Sequence, residues 1–129
     1  MVSLLLAFLA AQPLSLTAVR DAYPHLSPDH RTLVFHSNRS GRQAIWVANA
    51  DGGNPRQLFD GGELGSEPGT PVWSPDGASI AFAMKPAGTN DENESDIYVM
   101  RADGTGIVRL TSTPGDDSHP HWSGGGKRI

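Results

Sequence analysis

One string occurs three times in this chain and restricts its fold more than any other feature. It appears as PHLSPDHRTLVF at 24–35, PVWSPDGASIAF at 71–82 and PHWSGGGKRI at 120–129. Ser27, Ser74 and Ser123 recur at intervals of 47 and 49, and Pro24, Pro71 and Pro120 keep one offset before them. Asp51-Gly52 and Asp103-Gly104 stand 52 apart rather than 47, so the second unit holds extra residues between its middle strands. A period of this size suits one four-stranded unit per repeat, in or just above the range of a propeller blade. The expected units are 23–59, 70–111 and an opening piece at 119–129.

Within each unit the strands follow from alternation and turn residues. HLS and VWS open the two units, TLVFH and SIAFAM follow, then AIWVA and DIYVM, and last PRQLF and IVRLT. Period two places Ile80 with Phe82 on one face, and Ile97 with Val99 on the face opposite Tyr98 and Met100. Strands apolar on both sides must be covered on both, which face-to-face stacking of sheets achieves. The 15 glycines and 10 prolines argue against long helices and for many short strands with turns between them. The expected fold class is all-β: a partial propeller of four-stranded antiparallel blades, two complete and a third begun. Residues 60–71 and 85–96 are expected to be variable surface loops.

The reactive residue types fall at turns. In Ser74-Pro75-Asp76-Gly77, proline fixes the first corner, aspartate bonds locally to backbone N–H groups, and glycine takes the exit geometry. Ser27, Pro28 and Asp29 repeat the arrangement with His30 in place of glycine, and Gly124-Gly125 replaces Pro-Asp after Ser123. Asp51-Gly52 and Asp103-Gly104 suit hairpin turns. No G-x-S-x-G elbow surrounds the repeated serines, and a nucleophile recurring once per repeat has no mechanistic use. No catalytic residue is therefore assigned, and no cofactor is expected, because Walker, dinucleotide and zincin signatures are all missing.

Two groups stay open as ligand sites. His119 and His121 project to one side of an extended segment, and His25 occupies the position equivalent to His121. They are candidate metal ligands or polar contacts near a propeller axis, or ordinary packing groups. Asp91, Glu92, Glu94 and Asp96 offer oxygens for calcium without the EF-hand spacing, which favours a solvated hairpin tip. Trp73, Phe82, Ile97 and Trp122 are expected to pack the blades, with Trp46 in a third strand.

A net charge of −4, with no basic stripe, excludes nucleic acid as a partner. The absence of cysteine excludes disulfides and thiolate metal sites but does not identify a compartment. The apolar run Leu4–Ala11 suits a signal-peptide core and is too short to span a bilayer, so residues 1–18 are a possible signal peptide or leader.

The ordered combination of P-x-W-S-P-D-G-x-x-I-A-F at 71–82, I-Y-V-M at 97–100, A-D-G-T at 102–105 and R-L-T at 109–111 resembles the WD40-like propeller repeat of the TolB type. The same repeat occurs in the non-catalytic propeller of prolyl-oligopeptidase-like serine peptidases. The resemblance implies a six- to eight-bladed ring, periplasmic or secreted, with a cytoplasmic location as the alternative. Two units and an opening strand do not close such a ring, so the expected parent is longer, this chain forming its N-terminal part. The implied function is a non-catalytic scaffold for a protein or peptide partner. The alternatives are the substrate-access propeller of a serine peptidase and a polysaccharide- or uronate-processing propeller enzyme that uses channel histidines. Self-association through open blade faces is also expected.

Overall fold

The structure is a computed structural model and describes residues 18–129. The leader expected over 1–18 lies, apart from Ala18, outside the described residues. Among the described residues, eight strands form two sheets. The first holds β1 (Asp21–Leu26), β2 (Thr32–Ser37), β3 (Ala44–Asn49) and β4 (Arg56–Phe59). The second holds β5 (Gly65–Trp73), β6 (Ser79–Pro86), β7 (Asp96–Arg101) and β8 (Val108–Arg109). Each sheet is an antiparallel meander with its strands in chain order. The all-β class expected from the repeat is therefore what the chain forms. No helix among the described residues is long and apolar enough to cross a membrane.

Register converts the alternation into a core. Val34 pairs Val47 across β2 and β3, while Ile80 pairs Met100 and Phe82 pairs Tyr98 across β6 and β7. Val34, Ile45 and Val47 of the first sheet form one buried cluster with Ile80, Phe82, Met84, Tyr98 and Met100 of the second. The rings of Phe82 and Tyr98 stack at 5.7 Å, and Phe59 from β4 meets Phe82 at 5.6 Å. Each such side chain taken from water contributes about 1.5–3 kcal/mol, so this face supplies most of the cohesion between the sheets. On the far face of the first sheet, the Arg39 guanidinium lies 5.2 Å from the ring centres of both Phe35 and Trp46. It is tied there by a 2.9 Å ion pair to Asp21.

Several sequence boundaries shift: β1 begins at Asp21 rather than at His25, and β6 runs through Pro86 into the loop expected over 85–96. The linker expected over 60–71 is strand from Gly65 onward. Bulges between Ser66 and Gly69, and between Gly69 and Val72, let β5 stay paired with β6 despite two prolines and two glycines. Asp96 belongs to β7 and is fully buried, not part of a solvated acidic tip, because Arg109 and Thr111 bond its carboxylate. The last strand contracts from 107–111 to Val108–Arg109; beyond it the Ile97 N–H is taken by the Thr111 hydroxyl rather than by a backbone carbonyl.

The third copy of the string keeps its turn but forms no strand over 119–123. The turns stack in order. A Cβ placed on Gly77 would sit 3.6 Å from the Pro28 ring, and one on Gly126 would sit 3.5 Å from the Pro75 ring. The second and third turns thus each rest on the proline of the turn before.

Candidate functional site

The Ser-Pro-Asp turns are closed networks. The Ser27 hydroxyl donates to Asp29 Oδ1 at 2.6 Å and accepts the Thr32 N–H at 3.0 Å. Asp29 Oδ1 also takes the Arg31 N–H at 3.0 Å. Ser74, Asp76, Ala78 and Ser79 repeat all three bonds at 2.6, 3.0 and 3.0 Å. The serine hydroxyl, and then the backbone N–H, hold the Asp29 and Asp76 carboxyls below the ordinary carboxylate range. Asp103 is lowered in the same way, first by the Thr105 hydroxyl and then by its N–H. Asp51 Oδ1 accepts the Gly53 N–H at 2.8 Å, while Gly52 and Gly104 take φ of 87° and 86°. The O–H and N–H that Asp29, Asp76 and Asp103 accept all fall on Oδ1, so these bonds favour the charged carboxylate and fix the turn.

A different set of residues surrounds a cavity of about 170 Å³. It is lined by Tyr23-Pro24-His25 of β1, Thr70-Pro71-Val72 of β5 and His119-Pro120-His121 of the third copy. These are equivalent tripeptides, 47 and 49 residues apart. The residue before proline has a positive φ in each: 54° at Tyr23, 48° at Thr70 and 56° at His119. Residues before proline are normally extended, and a left-handed non-glycine residue costs about 1–2 kcal/mol. Asn54 before Pro55 and Glu67 before Pro68 are also left-handed, at φ of 49° and 55°, but only at this cavity among the described residues do three equivalent strained steps come together.

Its chemistry is set by imidazoles. His25 Nδ1 accepts the Trp73 N–H at 3.0 Å, which leaves the ring proton on Nε2. Burial, and then the proximity of His121, lower the His25 pKa. The Tyr23 ring lies edge-on between His119 at 5.5 Å and His36 at 5.1 Å. The Thr70 hydroxyl oxygen is buried without a hydrogen-bond partner. Among the described residues, no carboxylate, lysine or arginine lines this cavity. Among the described residues, no group of three or more His, Asp or Glu is placed to hold a metal ion. The structure therefore brings His25, His119 and His121 to one wall without the geometry of a metal centre.

The acidic run also disperses. Asp91 Oδ1 accepts the Asn93 N–H at 2.9 Å, Glu94 bonds the Thr89 hydroxyl, and Asp96 is paired with Arg109. Glu92 and Glu94 line a second cavity of about 360 Å³, with His36, Glu67, Lys85 and Asp116 also on its wall.

Trp73, Phe82 and Ile97 are buried, whereas Trp122 is half-buried. Sequence reasoning missed Tyr23, Thr70 and His36. The Y-P, T-P and H-P dipeptides at one offset carried the signal for the first two; His36 carried none.

No protein-family model matches the chain. Over 105 residues it is 37% identical to the Tol-Pal system protein TolB of Anaeromyxobacter dehalogenans, a match covering 77% of this chain and 21% of that protein. It is 29% identical over 142 residues to the uncharacterized peptidase YuxL of Bacillus subtilis, covering 85% of this chain and 21% of that one. The solved structure of a candidate TolB from Agrobacterium tumefaciens superposes with a TM-score of 0.69 at 27% identity, covering 83% of this chain and 40% of that one. The chain spans about a fifth of the length of the TolB relatives it matches. The likeness to TolB proteins extends well beyond the Ser-Pro-Asp-Gly motif, across most of the chain.

Proposed function

We propose that this chain is a non-catalytic binding module that serves a Tol-Pal-type system, docking a protein or peptide partner at the cavity between its first strands. In this reading the two sheets are blades of a β-propeller, and the protein works in the periplasm or outside the cell. The observation that carries it is the convergence of three strained residue–proline steps on one cavity that holds polar contacts but no reactive set. The similarity to TolB proteins supplies the class of system.

A photo-crosslinking residue at position 23, compared with one at position 105 on an outer turn, tests the reading in cells that carry a Tol-Pal system. Position 23 is expected to yield a discrete adduct containing a component of that system, and position 105 none. Equal labelling from both positions, or none from 23, would overturn it.

The likeness to the Bacillus subtilis peptidase favours a second reading, in which the sheets belong to a propeller that controls access to a serine peptidase. Hydrolysis of short chromogenic peptides by the complete gene product would move the assignment to that class.

A further inference from the structure

The two sheets are joined by polar contacts that all end on β5. β5 is the edge strand of its sheet and is bulged, so some of its backbone groups are not used by the β5–β6 ladder, and side chains of the first unit take them up. His25 Nδ1 accepts the Trp73 N–H at 3.0 Å, and His36 Nδ1 accepts the Thr70 N–H at 3.4 Å. Gln43 Nε2 donates to the Pro68 and Glu67 carbonyls at 3.1 and 3.3 Å. Both imidazoles act as acceptors, which a ring nitrogen can do only when it carries no proton.

We propose that this joint is a pH-sensitive device in which protonation of His25 and His36 turns each acceptor into a donor facing another donor, releasing β5 from the first sheet. The amides set free are those of Thr70 and Trp73, so loosening begins at the strand that bears two of the strained residue–proline steps, Glu67-Pro68 and Thr70-Pro71. The effect reaches the cavity wall directly, because His25, Thr70 and Tyr23 all line it.

The surroundings of the two rings differ. His25 faces Tyr23 on its own strand and His119 and His121 from the third copy, with no carboxylate on that wall to favour a charged ring. His36 faces Tyr23, and the neighbouring cavity brings Glu67 of β5, Lys85 of β6, Glu92 and Glu94 of the β6–β7 loop, and Asp116. Burial lowers the pKa of both rings. With the folded value below the unfolded one, the unfolded chain binds more protons through the histidine range. The joint is then intact above about pH 6.5 and is lost as pH falls below it.

Amide hydrogen exchange on the whole 129-residue chain reads the joint directly. Protection factors of Thr70 and Trp73, corrected for intrinsic exchange, are expected to fall at least tenfold between pH 7.5 and 5.0, while Tyr98 in the core stays protected. The double variant His25→Asn, His36→Asn retains an acceptor near each Nδ1 position and cannot titrate, so its protection is expected to change less than threefold over that range. Protection in the parent chain that is independent of pH, or an equal loss in the Asn variant, would overturn the proposal. Should the variant not fold, NMR titration of the parent chain decides instead. Both rings are expected as the Nε2–H tautomer with midpoints below that of a free histidine, and midpoints at or above it would overturn the proposal.

Discussion

Phe35 and Phe82 occupy the same place in the repeated string, yet the two sheets treat them differently. Phe82 is fully buried, stacked on Tyr98 and tilted against Phe59 from the neighbouring sheet. Phe35 lies on the far face of its sheet under the guanidinium of Arg39. One string therefore builds a core in the second sheet and a covered outer face in the first. Position in the stack, rather than residue type, decides how much each copy contributes.

That contrast can be broken most directly at the phenylalanines. Phe82→Ala is expected to destabilise by about 3–5 kcal/mol, and Phe35→Ala by clearly less, since Arg39 and its aliphatic stem can settle over the gap. Denaturant unfolding of both variants measures the difference. Equal costs would show that the outer face is packed as firmly as the inner one.

The turns sharpen the comparison at smaller scale. Ser74→Ala removes the acceptor of the Ser79 N–H beneath a buried serine and is expected to cost about 1–3 kcal/mol. Ser123→Ala, at the exposed third turn, is expected to stay within about 0.5 kcal/mol in the same assay. The exit position of the turn takes φ of 61° at His30, 72° at Gly77 and 71° at Gly126. Gly77→Ala should destabilise by about 1–2 kcal/mol through the backbone alone, because the new methyl would meet Pro28 at an ordinary 3.6 Å. His30→Gly should stabilise by under about 1 kcal/mol, the relief of a left-handed non-glycine residue being partly offset by glycine's greater freedom when unfolded. Thermal melts of the pair give both signs.

The smallest effect concerns acid. Asp29, Asp76 and Asp103 have folded pKa values below their ordinary ones, so their stabilising contribution is present above about pH 4 and is lost as pH falls through the folded values. Melting temperatures recorded from pH 5 to pH 3 are expected to decline less steeply in Asp29→Asn, Asp76→Asn than in the parent chain.

The all-β class and the order of strands were legible because alternation and turn residues recur in both units, and each copy supports the other. Boundaries were less legible where a local rule met a tertiary one. Two prolines and two glycines over 65–71 argue for loop, yet bulges and acceptors from the first sheet keep the segment extended as β5. Asp96 looked like the end of an acidic tip because its partner, Arg109, lies thirteen residues away on another strand. The cavity was half legible. The spacing of its histidines was visible, but the pairing of His25 and His36 with β5 amides depends on how two sheets meet, and no local pattern encodes that.

The stacking of Gly77 on Pro28, and of Gly126 on Pro75, has a consequence for how such a chain can change. It works as a ruler: the advance from one unit to the next is set where a flat ring meets a residue without a side chain, at the turn that precedes β6 and its equivalents rather than at the β6–β7 end. Length can then be added at the tips without altering that advance. The second unit, with its longer β6–β7 connection, has done so while its turn kept the hydrogen bonds of the first. Surface variation and assembly geometry are thereby uncoupled, and new contacts can be tried at the tips while the architecture beneath them stays fixed.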